Sequence, residues 1–327
     1  MTNTTNRKTS FDIIRILAIL IIFNYHFCIE AGLVDSIFCS HKNGGWGSVG
    51  TTIFFLLSGY LIHMGSKNTQ PLVYIKKRFF SIYPALWISF IFVYLLTSLK
   101  LHNFLWGGQP WRLIFSIVGI DTYLQYYFIQ AYACVGEWFT GMILFLYASY
   151  LLLRFLIKKC PVITTIVITI LYFLECTHEL QPIVPPDASV FTGVMLFWLG
   201  MLMQEYPFIL KEYWWKTAIA IIITLLVIFV QLPFYGNVLP WKNLLGITLF
   251  YLINVLFSKI NFGSNAGNAL KFFSSISFGV YLVHHFIIAQ LYYHLTTRPI
   301  ILIYSLALLI SVITAIAITK ITGLIKH

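Results

Sequence analysis

Long apolar runs separated by short polar connectors dominate the chain, and each run approaches the ~20 residues that a helix needs to cross a bilayer. Runs lie at about residues 11–33, 49–65, 80–99, 138–157, 162–176, 189–203, 216–234, 243–257, 272–295 and 300–321. The pattern predicts ten transmembrane helices in one all-α bundle, a single domain without internal repeat. The fifth and sixth runs are short, and the acidic link from Glu175 to Asp187 marks an aqueous turn between them. No cleavable signal is expected ahead of the first run, because the polar stretch Met1 to Ser10 leads into an apolar segment long enough to cross and stay.

Residues 101–136 form the ambiguous region, with an apolar patch at 113–120 and an aromatic, glutamine-containing one at 123–135. Charge decides against an eleventh span. With both termini cytoplasmic, sixteen of the 21 Lys and Arg fall inside, leaving Lys42, Lys100, Arg112, Lys242 and Arg298 outside. Basic residues accumulate on the cytoplasmic side, whereas an eleventh span would move nine of them, Arg154 through Lys326, outward. The region is therefore expected to be an outer loop with interfacial or re-entrant pieces, suited to roof a cavity used by an external substrate.

Composition agrees: 59% of the 327 residues are hydrophobic and 9% charged, which a soluble domain does not sustain. The 29 Phe, 20 Tyr and 9 Trp suit a chain with many water–lipid interfaces. A net charge of +11 follows from the cytoplasmic-loop bias, so no nucleic-acid partner is implied. Cys28, Cys39, Cys134, Cys160 and Cys176 show no paired spacing and no C-x-x-C, indicating neither a disulfide framework nor a zinc site; they read as spectators and no metal is expected.

Ionisable residues inside a span are costly and mark candidate sites. The first run, FDIIRILAILIIFNYHFCIE, carries Arg15 and His26. Eleven helical steps place them about 20° apart around the axis and roughly 16 Å apart along it. Asp12 and Glu30 can lie on the same side. In the plainer reading, Arg15 snorkels to the inner interface with Asp12 as partner and His26 meets outer-leaflet water.

Four further segments hold candidates. In YIKKRFFSIYPALW, Lys76, Lys77 and Arg78 are either a positive-inside anchor or a landing site for a polyanion such as coenzyme A. In FFLLSGYLI, Ser58 and Gly59 are small residues among bulky ones, suited to close helix packing, with Ser58 also a candidate substrate contact. The preceding GGWGSVG is flexible enough to border a site, and its Trp46 is a substrate contact or an interface anchor. In SSISFGVYLVHHFI, Ser277, Tyr281 and one of His284 or His285 share a helical face; an interfacial histidine pair is the alternative. Glu137 and Trp138 open the fourth run, where a carboxylate assists chemistry or simply favours the helix start.

Taken in order, Asp12-x-x-Arg15-x10-His26, FFLLSGYLI, the basic-to-IYPALW segment, EWFTGMILFLY and YLVHH resemble the acyltransferase 3 family of bacterial membrane proteins. The resemblance covers most of the chain, and the first-run motif is its most specific part. It implies transfer of an acyl group, most often acetyl, from a cytoplasmic acyl-CoA to a hydroxyl of a cell-envelope sugar. It also implies that Arg15 and His26 are essential, with His26 at or beside the transfer centre. Donor binding would fall to Arg15 and to the segment holding Lys76, Lys77, Arg78 and Tyr83. Many members have R-x-x-R-I-Y-P here; Ser81 stands in place of the second arginine, leaving Lys76 and Lys77 as candidates to supply its charge. The aspartate usual before the FF of the second run is also absent, residues 50–53 being Gly, Thr, Thr and Ile.

The expectation is thus an acyl-CoA-dependent O-acyltransferase of the bacterial cytoplasmic membrane, with the bilayer, the donor and an envelope glycan or lipid-linked sugar as partners. His26 is the general base or an acyl carrier, and Glu30 a weaker candidate for orienting it. The rivals are a transporter or flippase of lipid-linked sugars and an acyltransferase acting on a lipid or small metabolite.

Overall fold

The computed structural model describes residues 9–127, 132–177, 180–181, 183–233 and 237–325. Among the described residues are twelve α-helices, three single-turn 3₁₀ helices and one ribbon of two two-residue β-strands. In chain order the α-helices and strands are α1 (Thr9–Glu30), β1 (Ser40–His41), β2 (Gly44–Gly45), α2 (Trp46–Ser66), α3 (Pro71–Leu101), α4 (Leu113–Val118) and α5 (Asp121–Leu124). There follow α6 (Glu137–Lys159), α7 (Pro161–Cys176), α8 (Val190–Glu205), α9 (Trp214–Phe229), α10 (Leu239–Ser258), α11 (Ser264–Leu295) and α12 (Ile300–Ile325). Seven of these are long and apolar enough to cross a membrane, and α7, α8 and α9 are shorter apolar helices. Each of the ten expected spans thus corresponds to a helix, and the chain is a polytopic all-α membrane protein.

Local chemistry explains where the helices differ from the apolar runs. Helix α1 stops at Glu30, three residues early, because Gly32 turns left-handed at φ 68°. The Leu33 N–H then reaches the Cys28 carbonyl at 2.8 Å and the Gly32 N–H the Ile29 carbonyl at 3.1 Å, a Schellman cap. Helix α3 starts nine residues before its apolar run because Pro71 sits where a missing N–H costs nothing. Lys76, Lys77 and Arg78 are therefore helical. The break between α6 and α7 falls at Cys160 and Pro161, directly after Lys158 and Lys159, whose charges suit a helix C-terminus.

The chain divides into two compact units. The first comprises residues 1–64 and 196–277. Its core is Phe11, Ile14, Ala18, Val49, Ile53, Leu56, Leu57, Met203, Val227, Leu245 and Phe250. Polar side chains join its helices, as expected where hydrocarbon offers no alternative partner: Ser10 Oγ donates to Asn254 Oδ1 at 3.1 Å, Thr52 Oγ1 to Asn243 Oδ1 at 2.8 Å and Thr224 Oγ1 to Thr248 Oγ1 at 2.9 Å. Helices α2 and α8 meet backbone to backbone. A Cβ on Gly59 would stand 2.0 Å from the Phe197 carbonyl oxygen, and one on Gly200 2.1 Å from that of Leu56. Gly59, rather than its neighbour Ser58, makes the close approach in FFLLSGYLI.

The second unit comprises residues 65–195 and 278–327. Here residues 102–127 form no helix long enough to span a bilayer. They fold back along α3: Tyr94 Oη donates to the Phe104 carbonyl at 2.7 Å, Trp87 Nε1 to that of Ile117 at 2.7 Å and Tyr83 Oη to that of Val118 at 3.0 Å. Tyr83 lies eighteen residues before the end of α3, roughly 27 Å along it, so the described segment runs back alongside much of that helix. Its turn at Gly119 (φ 85°) rests on α3 and α6, where a Cβ would meet Leu86 and Leu144 at 2.6 and 2.9 Å.

Candidate functional site

The candidate residues divide between the two units. In the first, Arg15 is half-buried on α1 and its Nη1 donates to Ser274 Oγ on α11 at 3.5 Å. Asp12, one turn earlier, is 4% exposed in the first turn of the helix, where a carboxylate is favoured. His26 is half-buried, and its ring lies edge-on to that of Tyr25, centroids 5.2 Å apart. Glu30 is exposed at the last position of the helix, one turn beyond His26.

Beyond Glu30 the chain returns over the end of α1. Asn24 Nδ2 donates to the Phe38 carbonyl at 2.6 Å and Trp46 Nε1 to that of Ile37 at 2.9 Å. The ribbon pairs Ser40 with Gly45 and His41 with Gly44. It delivers the glycines of GGWG onto Tyr25: a Cβ at Gly45 or Gly47 would each stand 2.5 Å from an atom of the tyrosine ring. The Gly-rich segment is thus the seat of the ring beside His26, with Trp46 bound into the same loop and edge-on to His41. Burial pushes the His41 imidazole down to about 4, against the pull of the Val227 carbonyl and with help from nearby Lys242. Burial, and secondarily Asp35, raises the Cys39 thiol.

In the second unit only Arg78 of the basic triplet turns inward. Lys76 and Lys77 are exposed. Arg78 lines a cavity of about 380 Å³ together with Tyr74, Phe79, Tyr83, Leu144 and Tyr147. Its guanidinium lies 5.9 Å from the Tyr74 ring centre and 5.7 Å from that of Tyr147, within cation–π range. Arg78 Nε is buried and has no hydrogen-bond partner among the described residues. Ser81, where the family arginine is expected, donates its hydroxyl back to the Arg78 carbonyl at 2.8 Å. Neither lysine lines the cavity, so neither supplies there the charge that Ser81 lacks.

Four residues in and around this cavity, Tyr74, Tyr147, Tyr150 and Arg154, were not among the candidates offered by the sequence. Tyr74 sits one turn before Arg78, and its hydroxyl donates to the Tyr147 carbonyl at 2.8 Å. Tyr150 pairs with Tyr74 at 4.8 Å, and Arg154 ties the start of this unit to α6 through the carbonyls of Ser66 and Thr69 at 3.1 and 2.6 Å. Tyr147, Tyr150 and Arg154 follow one another at helical spacing on α6, and Tyr74 precedes Arg78 by one turn on α3, the signals that could have found the four.

Helix α11 sorts its histidines: His284 is buried and His285 exposed. His284 Nδ1 lies 2.7 Å from the Tyr281 carbonyl, so this nitrogen carries the proton in the neutral ring and Nε2 is the acceptor. Tyr281 Oη donates to the Gly136 carbonyl at 2.6 Å, which also accepts Thr140 Oγ1 at 2.6 Å. The start of α6 is thereby pinned to α11, with Trp138 half-buried there. Glu137 opens α6, and its side chain lies outside the described residues.

Ten apolar helices carrying buried ionic and aromatic groups define a multi-pass membrane protein with built polar sites. A family model described as an acyltransferase domain matches residues 8–320, and the chain belongs to the acyltransferase 3 family. No curated protein and no solved structure matches it.

Proposed function

We propose that this membrane acyltransferase takes an acyl group, in the first instance acetyl, from cytoplasmic acyl-CoA and places it on a hydroxyl of a cell-envelope sugar. The protein sits in a bacterial cytoplasmic membrane with both termini inside, in keeping with the sixteen-to-five distribution of basic residues. The observation that carries the donor side is the Arg78 cavity. A buried guanidinium nitrogen awaiting an acceptor, flanked by two tyrosine rings, suits a phosphate on an otherwise apolar ligand. Arg15 holds α1 to α11 through Ser274 at the inner mouth and is the second candidate for donor phosphate.

On the acceptor side, His26 is the general base. Imidazole as a side-chain class can take up a hydroxyl proton and hand it on, which is what a general base must do here. As the hydroxyl oxygen bonds to the thioester carbonyl carbon, the C–S bond breaks and coenzyme A leaves as its thiol, taking the proton that His26 collected. Tyr25 fixes the ring that does this, and Glu30 orients it from one turn away. Trp46 and Ser58 in the first unit, and separately Glu137, Trp138, Tyr281, His284 and His285 in the second, are individual candidates for acceptor contact, with His284 the buried member of its pair.

The test is transfer of radiolabel from acetyl-CoA to a mixed glycan acceptor by purified protein in nanodiscs. His26→Ala should abolish transfer while retaining the wild-type elution profile. Wild-type transfer by that folded variant would remove His26 from the mechanism. Movement of glycan across the bilayer without loss of acetyl from CoA would favour a transporter instead.

A further inference from the structure

Asn43 stands in the two-residue turn that joins β1 to β2, at the tip of the ribbon, yet it is only 1% exposed. Its side chain reaches the C-terminal end of α9, within the same compact unit. Nδ2 donates to the carbonyls of Val227 and Val230, both at 2.7 Å, and Oδ1 accepts the Leu232 N–H at 2.9 Å. The amide can face only this way, because a carbonyl takes a donor and an N–H takes an acceptor. A helix ends with carbonyls that its own N–H groups leave over. In the last turn of α9 the Leu226 carbonyl accepts the Val230 N–H at 2.9 Å, and the next two are met by the ribbon tip: Val227 by Asn43, and Ile228 by the Lys42 N–H at 3.1 Å. Two residues on, ~7 Å along the strand, Gly45 meets the ring of Tyr25, and Gly47 meets it again. Asn43 is thus the fixed end of a short strand whose other end seats the ring beside His26.

We propose that Asn43 is a positioning residue for acyl transfer. By fastening the ribbon tip to α9 it sets where Gly45 and Gly47 hold Tyr25, and through that ring it sets the orientation of the His26 imidazole. The inference rests on the role proposed above for His26. Both hydrogens of the Asn43 amide nitrogen are given to carbonyls of the fold, so the residue acts through the ribbon and not on a substrate. The requirement is for asparagine in particular. Aspartate has the same size but no donor when ionised, and it would set a carboxylate against two carbonyl oxygens; alanine leaves both carbonyls and the Leu232 N–H without this partner. In either case the ribbon loses its hold on α9, and Tyr25 loses a fixed seat.

The test compares Asn43→Ala with wild type, full chain in nanodiscs, reading both acetyl transfer and hydrogen exchange of the backbone amides of residues 40–47. Asn43→Ala should speed that exchange at least tenfold and lower kcat at least tenfold, while the KM for acetyl-CoA stays within twofold. Lys42→Ala, whose side chain is exposed and whose backbone N–H still reaches Ile228, should leave both readings within twofold of wild type. Added to Tyr25→Ala, Asn43→Ala should lower kcat by less than a further twofold, because the ring that transmits the displacement is already gone. Losses that multiply in that pair, or unchanged exchange in the single variant, overturn the proposal. If Asn43→Ala loses the wild-type elution profile, Asn43→Asp takes its place, and loss of the profile in both makes Asn43 a folding residue and overturns the positioning role. Wild-type transfer by His26→Ala removes the reading on which the inference rests. Wild-type kcat with a loosened ribbon, where His26→Ala is inactive, removes the inference alone.

Discussion

The ring of Tyr25 fills the space that a side chain at Gly47 would need, with ring atoms at 2.5 and 2.7 Å from the position of its Cβ. Since Tyr25 stands edge-on to His26, a methyl group at residue 47 is transmitted to the imidazole through one intervening ring. Gly47→Ala should displace Tyr25 at a cost of roughly 1–3 kcal/mol, the range for overpacking. Acyl transfer should fall at least tenfold in kcat while the protein still elutes as wild type, and Gly47→Ala combined with Tyr25→Ala should recover part of the folding stability. Unchanged kcat in the single variant would detach the GGWG segment from the site.

The contact between α2 and α8 offers a separate stability test, because backbone atoms face Gly59 and Gly200 and cannot move aside as a side chain can. Either glycine changed to alanine must push the helices apart and forfeit the packing on which helix association in lipid depends. Both variants should lose folded yield and show a lower melting temperature in detergent, whereas Ser58→Ala should leave both near wild type. Equal behaviour of Ser58→Ala and Gly59→Ala would contradict the geometry.

For the donor, Arg78 and the lysines beside it should separate. Removing a charge-assisted phosphate contact at Arg78→Ala should weaken acyl-CoA binding roughly tenfold, ~1.4 kcal/mol. Lys76→Ala and Lys77→Ala, whose side chains are exposed, should change it less than twofold in isothermal titration. If the lysines matter as much as Arg78, the triplet acts as a diffuse electrostatic patch and the cavity is not the donor site.

His41 supplies a pH test. Its folded-state value, about 4, lies below the ordinary 6.5, so the unfolded chain takes up the proton first. The stability contributed by the neutral buried ring is complete above about pH 6.5 and is lost as pH falls toward 4. The difference in melting temperature between wild type and His41→Gln should therefore shrink across that window and stay constant above pH 7. A difference independent of pH would show that His41 is not buried as a neutral base.

Much of this protein was legible in its sequence because a bilayer is an unforgiving solvent. A backbone crossing hydrocarbon must satisfy its own hydrogen bonds, so runs of apolar residues near the spanning length can only be helices. The ten runs and the misplaced Arg15 and His26 follow from that constraint, and the sixteen-to-five distribution of basic residues sets residues 101–136 apart from the crossings. Helix ends were less legible, since Pro71 and Gly32 act through backbone conformation rather than hydropathy.

Pairings between distant residues belong to the tertiary structure alone. The basic triplet reads as three similar charges, yet helical rotation sends Arg78 into a cavity between tyrosines and leaves two lysines outside. GGWG reads as a flexible border and proves to be the seat of Tyr25. The sequence by itself determined the membrane class, the family and the residues too costly to be accidental, because those depend on one-dimensional patterns of hydration. Which of those residues face one another depended on helix rotation, chain reversal and close packing at glycine, which only the folded chain decides.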